Sequence, residues 1–234
     1  MSLEALKEEV VSANKLLETS GLVKLTWGNV SGIDRESGCF VIKPSGVPYA
    51  ALSPDDMVVM DLDGNQVEGR LKPSSDTATH LRLYQEWPEI GGITHTHSEH
   101  ATAFCQAVRP LPCLGTTHAD HFMGTVPLAR ALTKEELDEG YEKNTGNIIL
   151  ETFKELSLNP VEVPAVLLAH HAPFTWGKSA MESVKNSIAL ESCAKMALDA
   201  YILNPQLESM PEHILNKHYE RKHGPNAYYG QSDY

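Results

Sequence analysis

Cysteine is scarce in this 234-residue sequence, and the four cysteines present are far apart. No two of them have the Cys-x-x-Cys spacing that thiolate zinc sites and redox motifs use. Disulfide frameworks are typical of secreted domains, whereas scattered thiols are typical of a reducing compartment. We therefore expect free, buried thiols and a cytoplasmic location. The cysteines are Cys39, Cys105, Cys113 and Cys193.

Long hydrophobic runs are also missing. No window approaches the ~20 consecutive apolar residues that cross a bilayer. The first residues, MSLEALKEEVV, lack the apolar centre of a signal peptide. We therefore expect no membrane association. The composition, 41% hydrophobic and 21% charged, is that of a globular protein, and the length suits a single domain over residues 1–234.

Positive charge is in deficit, because the formal net charge is −12. Nucleic-acid phosphates require a basic binding surface, so we expect no nucleic-acid partner. A few local donors can nevertheless hold one phosphate group of a small molecule. Motifs of other chemistries are absent too: there is no G-x-G-x-x-G after a strand, no Walker A loop, no G-x-S-x-G and no H-E-x-x-H.

The spacing of apolar residues predicts a mixture of helices and strands. Helices are predicted over 3–20, 76–87, 98–108, 133–139, 146–156, 179–203 and 211–222. Strands are predicted over 39–43, 57–62, 65–69, 91–97 and 163–169. Strict alternation of strand and helix is absent, and Asp63-Gly64 indicates a hairpin. We therefore expect a three-layer α/β/α fold with a central mixed, largely antiparallel sheet.

The histidines carry the clearest chemical signal. His95 and His97 are two residues apart on a predicted strand, so their side chains leave the same face. Imidazole is a good zinc ligand, and a catalytic zinc site combines three protein ligands with an open position. In isolation, two surface histidines explain this pair equally well. The doublet His170-His171 follows an apolar strand and offers a third ligand, although at most one member is needed.

Three polar turns offer donors for a phosphate. Gly28-Asn29-Val30-Ser31-Gly32 is predicted to be a turn bounded by glycines, and Lys43-Pro44-Ser45-Gly46 follows a strand. Ser74-Ser75 precedes a predicted helix, where free backbone N–H groups and the helix dipole favour an anion. Each alone is more often an ordinary cap or turn. Three together with a metal site indicate a phosphorylated small molecule.

Candidates for proton transfer remain ambiguous at the level of the residues. Asp76 is also explained as a carboxylate at the start of a helix, stabilised by the dipole. Asp120 follows a histidine in GTTHADH. Tyr228 and Tyr229 lie in a polar tail of a kind that is often disordered, and nothing in the residues alone selects between them.

Seven segments, taken together and in this order, resemble the class II aldolase family. The resemblance covers nearly the whole chain, from the first helix to Gln231. It implies the fold of that family, a divalent metal and a sugar-phosphate substrate. The segments are LTWGNVSG, IKPSGV, KPSSDT, GGITHTHS, GTTHAD, NTGNIILETF and HYERKHGPNAYYGQ.

The resemblance also implies roles for individual residues. The metal site corresponds to His95, His97 and His171 with Asp76 beside them, which selects the second member of the doublet. The substrate loops correspond to Gly28, Asn29, Ser45, Gly46, Ser74 and Ser75. The proton donor and acceptor correspond to Asp120 and Tyr229. The implied metal is one Zn²⁺ per subunit, and this ligand set also suits Mn²⁺ or Co²⁺.

The acidic position beside the metal distinguishes two branches of the family. Aldolases have Glu there and epimerases have Asp, so Asp76 favours epimerisation at C4 of a pentulose 5-phosphate. The expected reaction interconverts L-ribulose 5-phosphate and D-xylulose 5-phosphate by breaking and remaking the C3–C4 bond. The alternative is a sugar-phosphate aldolase of the same fold. A non-catalytic member of the fold is expected to have lost the histidines that this chain keeps.

Relatives are homotetramers with sites between subunits, so the resemblance implies that a tail of residues 224–234 completes a neighbour's site. Three features depart from the family pattern. Ala172 stands where relatives usually have Gly, His170 stands where they usually lack histidine, and Ser232–Tyr234 have no counterpart.

Overall fold

A computed structural model describes residues 2–229 of the chain. Ser232–Tyr234 and part of the predicted tail therefore lie outside the described residues. The described α-helices are α1 (Leu3–Thr19), α2 (Thr77–Glu86), α3 (Glu99–Gln106), α4 (Thr116–Ala119), α5 (Lys134–Glu155), α6 (Ala180–Leu203) and α7 (Glu212–His223). The described strands are β1 (Asn29–Asp34), β2 (Cys39–Ile42), β3 (Val58–Asp61), β4 (Gln66–Glu68), β5 (Gly92–His95), β6 (Leu128–Ala129), β7 (Ala165–Leu168) and β8 (Phe174–Gly177). None of these helices is long and apolar enough to cross a membrane.

The eight strands form one sheet in the order β4-β3-β2-β1-β5-β8-β7-β6. Every neighbouring pair is antiparallel except β6 and β7, which are parallel. The prediction of a mixed, largely antiparallel sheet is confirmed. The sheet brings β5 beside β8, although 78 residues separate the hydrogen-bonded His95 and Pro173 at their ends.

Helices cover both faces of the sheet, which confirms the three layers. Successive side chains of a strand point to opposite faces. In β3, Val58 and Met60 pack with residues of α2 and α5, whereas Val59 packs with residues of α1. Helices α3 and α6 cover the α1 side near β7, through a cluster that includes Phe104, Leu167 and Leu190. Burial of these two apolar faces is the main favourable contribution to folding.

The structure corrects the predicted turn at Gly28–Gly32. Only Gly28 has a positive φ, of +97°, and the following residues form β1 in the middle of the sheet. Asn29 and Ser31 look like turn residues, yet both are buried and hydrogen-bonded by side chains of the protein. A buried polar side chain is tolerated in a central strand when it has a hydrogen-bond partner, and here the partners come from distant parts of the chain.

Helix ends were predicted with mixed success. Ser2 and Thr133, residue types that favour helix N-termini, precede the helices predicted from 3 and from 133, and each accepts a hydrogen bond from the backbone N–H three residues on. At α2 the cap prediction was wrong, because Asp76, and not Ser74 or Ser75, precedes the helix. The helices predicted over 133–139 and 146–156 form one element, α5, that is interrupted at Gly140 with φ of 150° and ψ of 100°.

Both edges of the sheet are short. All three residues of β4 are exposed, and the Glu68 carboxylate accepts a hydrogen bond from Lys7 of α1. At the opposite edge, β6 has only two residues. An exposed, long edge strand invites pairing with another chain, and neither edge has that form.

Asn14 attaches α1 to the start of β1. Its side chain is fully buried, and its Oδ1 accepts from the Val30 N–H at 3.0 Å. Its Nδ2 donates to the Val30 carbonyl at 3.2 Å. Strand β2 pairs with β1 only from Ser31 onward, so Asn14 satisfies the Val30 backbone where the strand partner has ended.

Replacing Asn14 by Ala should lower the free energy of unfolding by ~2–4 kcal/mol, because two buried backbone groups of Val30 lose their partners. Urea unfolding followed by circular dichroism measures this change. Ser12→Ala is the control, since Ser12 bonds only within the exposed face of the same helix. Its effect should stay within ~0.5 kcal/mol, as is usual for surface positions. Equal effects of both substitutions would contradict the role of Asn14.

Candidate active site

Three histidines converge at the end of β5. His95 is the last residue of that strand, and His97 lies two residues later, just beyond the strand end. His171 lies in the loop between β7 and β8, and β8 is the neighbour of β5. One ring nitrogen of each histidine lies within 4.8 Å of the corresponding nitrogens of the other two. The Nε2 atoms of His95 and His97 are 3.2 Å apart.

The ring of His95 is held in one orientation. Its Nδ1 lies 3.0 Å from the Pro173 carbonyl oxygen, to which it donates in the neutral tautomer. The ring also stacks on Phe174, with centroids 4.2 Å apart. Nε2 is therefore the nitrogen that faces the other two histidines. A hydrogen bond of this kind on the opposite ring nitrogen is what orients metal-binding histidines in general.

The cluster is electrostatically suited to a cation. Burial, together with the smaller effect of neighbouring imidazoles, lowers the pKa of His95 to about 3 and that of His171 to about 4. Burial also lowers the pKa of His97. The three rings are therefore neutral near pH 7 and keep a lone pair free. Three converging neutral imidazoles fit a divalent metal such as zinc.

Asn29 connects the start of β1 to the acidic residue beside the histidines. Its Nδ2 donates to Asp76 Oδ2 at 2.6 Å and to Ser74 Oγ at 3.0 Å. Its Oδ1 is buried and has no hydrogen-bond partner within residues 2–229. Gly28 precedes it because no side chain fits: a Cβ there would lie 2.6 Å from the His95 carbonyl oxygen. The backbone carrying Asn29 therefore lies directly against the strand that carries His95.

Two loops, around residues 43–46 and 72–75, line the cleft across from the histidines and are hydrogen-bonded to each other. The Ser45 N–H donates to the Lys72 carbonyl, and the Ser74 N–H donates to the Lys43 carbonyl, each at 3.0 Å. Between these loops and the histidines lies a cleft of about 580 Å³. Ten of the twelve predicted site residues line it: Gly28, Asn29, Ser45, Gly46, Ser74, Ser75, Asp76, His95, His97 and His171.

Lys43 places a buried positive charge on this cleft. Its side chain is only 2% exposed, and its Nζ lies 4.9 Å from the centre of the Tyr49 ring. It forms no ion pair with a carboxylate in the described part of the chain. Burial lowers its pKa to about 8. Its Nζ donates a hydrogen bond to the Pro44 carbonyl at 3.3 Å. The sequence indicated a charge in this turn, but not that the charge is desolvated and lacks a carboxylate partner.

Asp120 and Tyr229 belong to a different part of the surface and do not line the cleft of the same chain. Arg221 donates to Asp120 from Nε at 3.1 Å and from a terminal nitrogen at 2.6 Å. Partial burial raises the pKa of Asp120, but hydrogen bonds from Arg221 and His218 outweigh it, so the pKa lies below its ordinary value. The Tyr229 ring lies 4.9 Å from the Arg221 guanidinium and 4.5 Å from Lys222 Nζ. Arg221 thus joins both predicted proton-transfer residues in one cluster.

The cleft also contains residues that sequence reasoning missed, among them Thr26, Trp27, Tyr141 and Glu142. Tyr141 OH lies 3.1 Å from His171 Nδ1. Tyr141 and Glu142 follow the break at Gly140, and an isolated glycine in a helical pattern was the signal that could have marked them.

The departures around the third histidine are accommodated. Ala172 is buried and its φ is not positive, so its methyl group requires no strained backbone. His170 has φ of +63° and is exposed, and it contributes no nitrogen to the cluster. The turn therefore sends one histidine of the doublet to solvent and the other into the cleft.

The sequence also matches a known protein family. Residues 8–198 match the family described as Class II Aldolase and Adducin N-terminal domain. The chain is 54% identical over 229 residues to the L-ribulose-5-phosphate 4-epimerase UlaF of Salmonella paratyphi B (strain ATCC BAA-1250 / SPB7), covering 98% of this chain and 100% of that protein.

Solved structures show the same fold. An L-fuculose 1-phosphate aldolase superposes with a TM-score of 0.78 at 29% identity, covering 93% of this chain and 95% of that one. YgbL from Klebsiella pneumoniae superposes with a TM-score of 0.73 at 23% identity, covering 93% and 99%. From the matched residues 8–198 and the full-length similarity, the chain belongs to the class II aldolase and adducin N-terminal domain family.

Proposed function

We propose that this protein is a metal-dependent isomerase that interconverts L-ribulose 5-phosphate and D-xylulose 5-phosphate. The observation that carries the proposal is the meeting of His95, His97 and His171 with the buried Lys43 in one cleft. A metal held by the histidines can bind two neighbouring oxygens of a sugar, and the Lys43 ammonium group can bind its phosphate. The 54% identity to a protein named L-ribulose-5-phosphate 4-epimerase supports the choice of substrate.

His95, His97 and His171 would hold the metal, with the Asp76 carboxylate beside them. The proposed metal is Zn²⁺, and Mn²⁺ or Co²⁺ also suits imidazole and carboxylate ligands. A bound divalent ion supplies Lewis-acid stabilisation of the negative charge that develops on the sugar oxygens. The residues of the chain provide the remaining steps.

The phosphate is bound by Lys43 and the loops facing it. A dianionic phosphate pairs with the buried ammonium group and receives hydrogen bonds from Ser45, Gly46 and Ser74-Ser75. Charge-assisted hydrogen bonds in a partly desolvated site are the strong ones. Retention of the phosphate matters for the outcome, because an epimerase must keep the fragment that an aldolase releases.

The reaction breaks and remakes one carbon–carbon bond. A base removes the C4 hydroxyl proton, a C4 carbonyl forms, and the electron pair of the C3–C4 bond moves to C3 to give an enediolate. The second fragment, glycolaldehyde phosphate, rotates while its phosphate stays bound. The electron pair then attacks the opposite carbonyl face, and an acid returns a proton to the new C4 alkoxide. Inversion at C4 therefore requires one proton-transfer group on each face of the aldehyde.

Asp120 and Tyr229 are proposed for these two roles, supplied by a neighbouring subunit. They are clustered around Arg221 and do not line the cleft of their own chain, which a homotetramer with sites between subunits explains. We propose further that residues 1–234 form a single domain, that residues 224–234 complete the neighbour's site, and that the enzyme is cytoplasmic.

The second candidate is a sugar-phosphate aldolase that releases its products. The 29% identity to an L-fuculose 1-phosphate aldolase supports it. Incubation with L-ribulose 5-phosphate separates the two candidates. Formation of D-xylulose 5-phosphate without free glycolaldehyde phosphate supports the epimerase, and accumulation of glycolaldehyde phosphate supports the aldolase.

Replacing His97 by Ala should remove bound metal and activity together, because two imidazoles cannot complete the cluster. Metal content by mass spectrometry and a coupled assay for D-xylulose 5-phosphate measure the two effects. His213→Ala is the control, since His213 is exposed on α7 and outside the cleft. Full activity of His97→Ala without bound metal would refute metal dependence.

Replacing Lys43 by Met should raise KM roughly 10–100-fold, the value of a hydrogen bond to a charged group, with a much smaller change in kcat. In the wild-type enzyme, KM should rise as the pH passes about 8, because the ammonium group loses its proton there. Below that pH the lysine is charged and binds phosphate. The Lys43→Met enzyme should lack this rise between pH 7 and 9, and an identical pH profile would exclude Lys43 as the phosphate ligand.

Replacing Tyr229 by Phe should lower kcat by roughly 10²–10⁴-fold, the usual range for a positioned acid or base. Tyr228→Phe is the matched control, because Tyr228 is the adjacent residue of the same tail and its ring contacts Lys217, whereas the ring of Tyr229 contacts Arg221. Steady-state rates of both variants decide between them. Loss of activity in Tyr228→Phe with a normal rate in Tyr229→Phe would transfer the role to Tyr228.

A further inference from the structure

The interruption of α5 places a tyrosine on the third histidine. Gly140 has φ of 150° and ψ of 100°, outside the helical region and rarely adopted by residues with a side chain. The next residue, Tyr141, turns toward the cleft and is 37% exposed there. Its OH lies 3.1 Å from His171 Nδ1, and the two rings are 5.9 Å apart between centroids.

Which of Tyr141 and His171 donates the hydrogen bond between them depends on which ring nitrogen of His171 carries the proton. A neutral imidazole carries one proton, and the nitrogen that binds a metal must be the one without it. Because Nδ1 faces Tyr141, Nε2 is the nitrogen left for a metal. His171 with Nε2 bound to a metal therefore carries its proton on Nδ1 and donates it to the phenolic oxygen.

When His171 is the donor, the hydroxyl hydrogen of Tyr141 remains available for another acceptor. A phenol has one hydrogen and can accept through its oxygen at the same time. When His171 donates, the Tyr141 hydrogen is not used by His171. Since Tyr141 lines the cleft, this hydrogen can reach an oxygen of a molecule bound there.

We propose that Tyr141 is a positioning residue for the third metal ligand, and that metal binding at His171 frees its hydroxyl hydrogen for an acceptor oxygen of the substrate. The inference rests on the proposed metal site. It gives His171 the same kind of support that the Pro173 carbonyl gives His95. It also gives the break in α5 at Gly140 a role, because the break brings Tyr141 to His171.

The Tyr141→Phe enzyme tests the positioning role, because Phe keeps the ring against His171 and removes only the oxygen. The dissociation constant for Zn²⁺, measured on metal-free protein by competition with a chelator, should rise roughly 10–100-fold, as is usual when such a partner is lost. The melting temperature of the metal-free protein should stay within about 2 °C, since the lost hydrogen bond is partly exposed.

Tyr201→Phe is the matched control, because Tyr201 packs beside Arg109 and does not line the cleft. It should bind Zn²⁺ with the wild-type constant. A wild-type constant for Tyr141→Phe as well would overturn the positioning role and leave the proposed function intact. Failure of the wild-type protein to bind any metal would overturn both, so the two proposals fail in distinguishable ways.

The freed hydroxyl hydrogen is tested at saturating Zn²⁺, where weaker metal binding no longer matters. Under that condition the KM of Tyr141→Phe for L-ribulose 5-phosphate should remain roughly 2–10-fold above the wild-type value, the loss expected for one neutral hydrogen bond. A KM that returns to the wild-type value at saturating metal would overturn the contact with substrate.

Discussion

The register between β5 and β8 is the constraint on which the candidate site depends. His95 pairs with Phe174, so the aromatic ring lies under the imidazole and the preceding carbonyl reaches its Nδ1. The same pairing brings His171, three residues before Phe174, to the end of β5. A slip of one residue would turn His95 to the opposite face of the sheet. Strand pairing thus fixes the geometry of three side chains that no local sequence element could assemble.

Binding capacity at this cleft is obtained at the expense of stability. Lys43 is desolvated without a carboxylate partner, and Asn29 Oδ1 is buried without a hydrogen bond in residues 2–229. Such groups cost free energy in the folded protein and become favourable only when a ligand satisfies them. The sheet and its two apolar faces stabilise the fold enough to carry these unsatisfied groups. Their position beside three neutral histidines fits the proposed ligand, an anion that also coordinates a cation.

Local signals in the sequence were sufficient for much of this architecture and for most of the cleft. Apolar spacing located α1, β3 and α6, and the capping residues Ser2 and Ser179 mark the starts of the two helices, because these are local properties of the chain. The turn prediction at Gly28–Gly32 failed because the partners of Asn29 and Ser31 lie about 50 residues away, on α2 and before it. Tyr141 was missed for the same reason: its relation to His171 exists only through the packing of α5. The convergence of the histidines was predictable only because strand ends share one side of a sheet.

The short edges of the sheet have a consequence for how copies of this chain can meet. Strand β4 has only three residues, all exposed, and the carboxylate of one of them, Glu68, is hydrogen-bonded to Lys7; strand β6 has only two residues. Neither provides enough backbone hydrogen bonds to template a strand from another molecule. Association by strand addition, and the fibrous aggregation that grows from it, is therefore disfavoured. An assembly of this protein that instead uses helices and loops of residues 2–229 can close by symmetry, as most soluble oligomers do.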